Sequence, residues 1–245
     1  MSIQNILFVD IETVPEQKTA YDLDNEKLLI YEHRFRKSID QFAATSREHH
    51  LYWTDGHYEG NAALYAEFGK IVCISIGNFK NDKFYVKNFC GTIEQILLDG
   101  FTEACKKFAI LCAHNGKEFD FPYLFRRYLI NGLTVPTILN TIGRKPWEVC
   151  LEDTMEMWGS TQWRYRVGID LLAHIFRIPS PKTEMSGADV SKIYYDIFED
   201  FTEEKQAENL KKIGDYCNGD VVTLAKVYCK IKGLPGITDE QIVYL

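Results

Sequence analysis

Four consecutive apolar residues, Ile6-Leu7-Phe8-Val9, end on Asp10-Ile11-Glu12-Thr13, and Pro15 follows. A run this short and this uniformly apolar predicts a buried strand. Proline has no N–H to give a sheet ladder, so the strand is expected to stop before Pro15. A second such run, residues 109–113, is followed at once by His114-Asn115-Gly116. Buried strands need helices over their faces, and the chain supplies them. Ile93, Ile96, Leu97, Phe101, Ala104 and Phe108 recur near the helical period behind Thr92, a candidate cap. Residues 119–130 are helical in pattern and stop at Asn131-Gly132, and residues 168–233 read as a series of helices. Between them, β-rich residues 70–78 and 83–89 flank a hairpin turn at Lys80-Asn81-Asp82, and another strand is expected near 149–153. This order predicts an α/β fold, a mixed central sheet flanked by helices, as a single domain over residues 1–245.

Residues 14–66 interrupt that pattern. Their first part, 25–48, is charged and helix-compatible, with Leu28, Leu29, Phe35, Ile39 and Phe42 as apolar positions. Residues 53–60 are polar, aromatic and punctuated by glycine. The whole stretch reads as an insertion that covers a site. Residues 135–166 are also expected to be irregular around the 149–153 strand.

No apolar run approaches the roughly 18 residues that a membrane-spanning helix needs, and the N-terminus has no basic segment ahead of its apolar run. A cytoplasmic protein without membrane contact is expected. The seven cysteines are odd in number, lie in apolar segments and form no C-x-x-C pair, so they read as reduced core thiols. A net charge of −7 argues against affinity built from blanketing duplex phosphates. It leaves room for nucleic acid held through metal ions, because a cation-binding site is itself acidic.

The acidic residues supply that possibility. Asp10 and Glu12, two apart at a strand end, leave the same face of the sheet. Two carboxylates there are costly unless they are paired, and a divalent cation would pair them, although either could also cap the next turn. Asp120 falls in the first turn of a helix, where the macrodipole favours an acid in any case. Tyr216 and Asp220 share a helix face, a spacing that chance also produces at Tyr195 and Glu199. Only their conjunction is informative. Phosphodiester hydrolysis by two cations needs several converging carboxylates, and hard oxygen ligands suit Mg²⁺ or Mn²⁺. Asp10, Glu12, Asp120 and Asp220 could form such a set.

Taken together, Phe8-Val9-Asp10-Ile11-Glu12-Thr13, Ala113-His114-Asn115-Gly116-Lys117-Glu118-Phe119-Asp120 with Arg126 and Arg127, and Tyr216-Cys217-Asn218-Gly219-Asp220-Val221 resemble the three motifs of DEDD exonucleases. The resemblance is to the tyrosine subclass, nearest to the proofreading domains of family B DNA polymerases and their stand-alone bacterial relatives. It implies a ribonuclease H-like fold and 3′-to-5′ release of nucleoside monophosphates from single-stranded DNA ends. It also implies two cations held by Asp10, Glu12, Asp120 and Asp220, with Tyr216 orienting the attacking water. Thr13, Asn115, Phe119 and Lys182 are candidate substrate contacts. The basic and aromatic residues at 143–147 and 162–166 could wall a groove for single-stranded nucleic acid. Trimming of RNA ends is the alternative substrate, and a non-catalytic nucleic-acid-binding module the alternative of another class. Repair, end trimming and proofreading in trans are the expected settings.

Overall fold

The computed structural model describes residues 2–40, 47–162, 165–179, 185–199 and 202–245. Among these, six strands make one sheet: β1 (Ile6–Pro15), β2 (Gly69–Lys80), β3 (Lys83–Cys90), β4 (Ile110–Ala113), β5 (Leu151–Asp153) and β6 (Ile242–Tyr244), in the spatial order β5-β4-β1-β2-β3-β6. β1, β2 and β3 are successive antiparallel neighbours, while β4 and β5 run parallel to β1. This is the mixed sheet of the ribonuclease H-like fold, extended at its β3 edge by the short parallel β6. The helices are α1 (Asn25–Asp40), α2 (Arg47–Asn61), α3 (Glu94–Cys105), α4 (Asp120–Ile130), α5 (Thr154–Gly159), α6 (Ile169–Ile175), α7 (Gly187–Glu199) and α8 (Glu203–Lys232). None is long and apolar enough to cross a membrane.

The period of β1 sorts its side chains onto two faces. Leu7, Val9 and Ile11 pack with Leu97, Leu98 and Phe101 of α3 and with Phe121, Leu124 and Tyr128 of α4. Ile6 and Phe8 turn the other way, into a cluster with Val221, Leu224 and Tyr228 of α8. Asp10 and Glu12 continue this second row, so both carboxylates face α8. The helix approaches the sheet closely because Gly77 lies beneath it, where an added Cβ would clash with Phe84 and come within 2.8 Å of Val221. Ser75 Oγ also donates to Asn218 Oδ1 of α8 at 2.9 Å.

The hairpin forms as expected. Asn81 and Asp82 both have positive φ (49° and 58°), the twist that a two-residue connection between antiparallel strands requires. Two expectations need correction, at Pro15 and at Thr92. β1 does not stop before Pro15 but includes it, opposite Gly69. β4 pairs with β1 only over Ile6–Phe8, so near Pro15 one edge of β1 has no neighbour and the missing N–H is tolerated. Residues 53–60 are helical, within α2. Their glycines, Gly56 and Gly60, have nothing within 4 Å of an added Cβ, whereas Thr54, Tyr58 and Ala62, spaced four apart, are fully buried. Tertiary packing of that stripe outweighs the low helix propensity of two exposed glycines. Thr92 is not the cap of α3, which begins at Glu94 because the Glu94 carboxylate is drawn inward to the Ile71 N–H and Arg127. β6 had no counterpart in the sequence reading.

Within 14–66, α1 and α2 bring together Tyr31, Phe35 and Tyr58, which pack with Phe68 just beyond the stretch. The Thr13 hydroxyl donates to the Ala63 carbonyl at 2.8 Å, tying this unit to β1 one residue beyond Glu12.

Candidate active site

The site forms where β1, the N-terminus of α4 and the middle of α8 meet. Ligand atoms of Asp10, Glu12 and Cys217 lie within 4.8 Å of one another. Asp120 and Asp220 are close enough to act on both β1 carboxylates electrostatically. The Tyr216 phenol and Asp220 are close enough to shift each other's ionisation. Asp10 and Asp220 are partly accessible, while Glu12 and Asp120 are buried.

Burial is the first cause of the electrostatics. It raises Asp10 and Glu12 well above the usual carboxylate range, with neighbouring Cys217 and the other acids adding to the effect. Asp120 is pushed up to about 7 by burial, against the backbone N–H donors of Asp120 and Ile11, with Asp153 raising it further. Asp220 rises to about 6 through burial, offset by the nearby Tyr216 hydroxyl and reinforced by Asp170. Burial and the charges of Asp220, Glu12 and Asp10 push the Tyr216 phenol up, so it stays protonated. No lysine or arginine pairs with these four acids among the described residues, and Glu12 has neither hydrogen-bond donor nor ion-pair partner there. Carboxylates gathered in this way without a counter-charge fit divalent cations, and an all-oxygen acidic set suits Mg²⁺ or Mn²⁺.

This arrangement costs stability when no cation is bound. A carboxyl whose folded pKa is about 7 against about 3.9 unfolded contributes fully below about pH 4, and its contribution is lost as the pH rises through 7. Asp120→Asn cannot ionise, so in chelator at pH 8 it should be more stable than the parent by about 1–3 kcal/mol. At pH 4 the two should unfold alike. Urea melts at both pH values measure this, and equal midpoints at pH 8 would mean that Asp120 is already compensated.

The other expected residues divide. Asn115 opens the turn after β4 with φ of 60°, and its N–H donates to Asp153 Oδ1 at 2.9 Å. It lines a cavity with Lys117, Gln162, Tyr165 and Arg166, the last three from the basic and aromatic 162–166 stretch. Phe119 packs against the core 5.5 Å from the Tyr123 ring, and the Thr13 hydroxyl is engaged by Ala63. Lys182 lies outside the described residues. His114 is held between the Thr154 hydroxyl and the Val167 carbonyl, both at 2.8 Å. In the 143–147 loop, Lys145 lies over the exposed Trp147 ring at 5.3 Å.

Two residues went unread. Asp153, buried at the end of β5, accepts N–H bonds from Asn115, Lys117, Met155 and Glu156 and so fixes the turn leading to Asp120. An aspartate closing a strand before Thr-Met-Glu is a cap signal that could have found it. Cys217 stood inside the third motif without a role, yet its Sγ lies 3.3 Å from Asp10 Oδ2.

No curated protein matches the chain. Among solved structures 85 chains match. One is the family B DNA polymerase from the hyperthermophilic archaeon Pyrobaculum calidifontis, at 14% identity and a TM-score of 0.49, covering 92% of this chain and 24% of the polymerase. Residues 63–243, well over half of the chain, match the family described as predicted 3′-5′ exonucleases related to the exonuclease domain of PolB. The chain belongs to that family of predicted 3′-5′ exonucleases.

Proposed function

We propose that this protein is a metal-dependent 3′-5′ exonuclease that removes nucleoside monophosphates from single-stranded DNA ends. The observation that carries this reading is the gathering of Asp10, Glu12, Asp120 and Asp220 from β1, α4 and α8 with no cationic partner among the described residues. These four would hold two Mg²⁺ or Mn²⁺ ions, which when bound supply Lewis acidity and neutralise charge developing on the phosphate oxygens. Everything else falls to the chain. Glu12 and Asp120 keep their charge out of bulk water, so their attraction for a cation is little screened. Tyr216, protonated and beside Asp220, is no base; it orients a water or the scissile phosphate. Asp153 holds the Asn115 turn beside the cavity into which the terminal nucleotide would fit.

The test uses DNA and RNA single strands of one sequence, labelled at the 5′ end, with Mn²⁺ or with EDTA. A descending ladder on DNA that chelation abolishes is the expected result. A ladder on RNA alone would reassign the substrate, and intact label on both would make the protein a binding module. Tyr216→Phe, which keeps the ring and removes the hydroxyl, should slow cleavage by about 10²-fold while Mn²⁺ still binds by calorimetry. Wild-type turnover in that variant would overturn the role of the hydroxyl.

A further inference from the structure

Cys217 gives the site a ligand of a different kind. Its side chain is fully buried, with Sγ 3.3 Å from Asp10 Oδ2 and 3.5 Å from the Asp10 carbonyl oxygen. One ligand atom from each of Asp10, Glu12 and Cys217 fits within 4.8 Å. Donors around a single four-coordinate ion, with metal–sulfur bonds of about 2.3 Å and metal–oxygen bonds of about 2.1 Å, stand roughly 3.5 Å apart. The trio therefore needs only small adjustments to enclose one ion.

Glu12 is the independent observation. It is 8% exposed, and its carboxylate has no hydrogen-bond or ion-pair partner among the described residues. A buried carboxylate left so is costly, and a cation beside it removes the cost. Asp10, the partly accessible member, provides the way in. Mg²⁺ takes oxygen ligands and would leave the Cys217 thiol as a donor to Asp10, whereas a softer ion would take the sulfur as well.

We propose that Asp10, Glu12 and Cys217 form a mixed sulfur and oxygen site for a thiophilic divalent cation of the zinc class, which competes with Mg²⁺ and Mn²⁺ for the two carboxylates. This rests on the reading that Asp10 and Glu12 bind a cation at all. On binding, a metal–sulfur bond replaces the S–H bond and the proton passes to solvent. Occupied in this way, Asp10 and Glu12 are unavailable to the hard ions, so zinc-class ions act as inhibitors rather than activators.

Cadmium is the probe, because cadmium bound to a thiolate absorbs in the ultraviolet by sulfur-to-metal charge transfer. The full chain, reduced and stripped of metal, is titrated with Cd²⁺, alone and against excess Mn²⁺, and the DNA ladder is run in Mn²⁺ on the same sample. A charge-transfer band that excess Mn²⁺ weakens is expected. Cys217→Ser should lose the band, and its ratio of Cd²⁺ to Mn²⁺ affinity should fall by about tenfold or more. Cys90→Ser, whose thiol donates to the Leu210 carbonyl, should keep both. No band in the saturated wild-type protein, a band that Mn²⁺ leaves untouched, or one that survives in Cys217→Ser would each overturn the proposal, and the first two need no variant to fold. A DNA ladder without the band leaves the exonuclease reading standing and removes this one. The band without a ladder does the reverse.

Discussion

Asp10→Asn should lower metal-dependent cleavage of a single-stranded oligonucleotide by about 10³-fold or more while the protein stays folded. The side chain keeps its size and its oxygen toward the Cys217 thiol, so the contact at 3.3 Å can persist. What disappears is one negative charge from a group whose members already oppose each other's ionisation. Without a cation, that loss relieves repulsion, and the melting temperature in chelator should not fall. With a cation, a partly accessible ligand loses the charge that draws the ion in. Activity and stability are therefore expected to move in different directions, which a merely structural role for Asp10 would not produce. The measurement is kcat/KM in Mn²⁺ beside a thermal melt in EDTA. Activity within tenfold of the parent would take Asp10 out of the reaction.

The acids were legible because each sits at an element boundary that local pattern marks: the end of an apolar strand, the first turn of a helix, one helix face with a tyrosine. That they meet was not legible, since it depends on β1, α4 and α8 converging across the sheet. Cys217 shows the limit from the other side. A cysteine among apolar neighbours reads as core, and it is core; only the packing of α8 against β1 brings its sulfur to Asp10. Asp153 was legible only as the cap of Met155 and Glu156; its bonds to the Asn115 and Lys117 N–H, 38 and 36 residues away, were not.

The fold divides along the same line. The β2–β3 hairpin is specified by two adjacent turn residues, and α4 by its own period and the Asn131-Gly132 stop, so local sequence suffices for both. α2 is not, because Gly56 and Gly60 argue against a helix that Tyr58 secures by packing with Tyr31 and Phe68. β6 is three residues long and pairs with Phe84–Val86 from the far end of the chain. A strand so short carries no pattern of its own, and its pairing is decided by an open sheet edge that only the assembled fold presents.

Arg127→Ala should cost about 3–5 kcal/mol of stability, and at about 2–4 °C per kcal/mol for a chain of this size the melting temperature should fall by about 6–20 °C. The Arg127 guanidinium, 6% exposed, donates to Glu94 through Nε at 2.8 Å and Nη2 at 2.5 Å, and to the Ala66 carbonyl through Nη1 at 2.8 Å. Glu94 in turn accepts the Ile71 N–H at 2.7 Å and Asn131 Nδ2 at 2.8 Å. One buried pair thus joins α3, α4, β2 and the chain leaving the 14–66 unit. Removing the cation leaves Glu94 charged in a site that water does not reach, and that uncompensated charge, more than the lost bonds, sets the size of the effect. Glu94→Met with Arg127→Met should therefore be less damaging than Arg127→Ala alone, although it cannot match the parent while the Ile71 N–H and Ala66 carbonyl lack partners. Asp120 heads the helix that Arg127 anchors, so activity in the single variant should fall with the folded fraction and recover on cooling. If the double substitution is as destabilised as the single one, the cost lies in the orphaned backbone groups rather than in the charge.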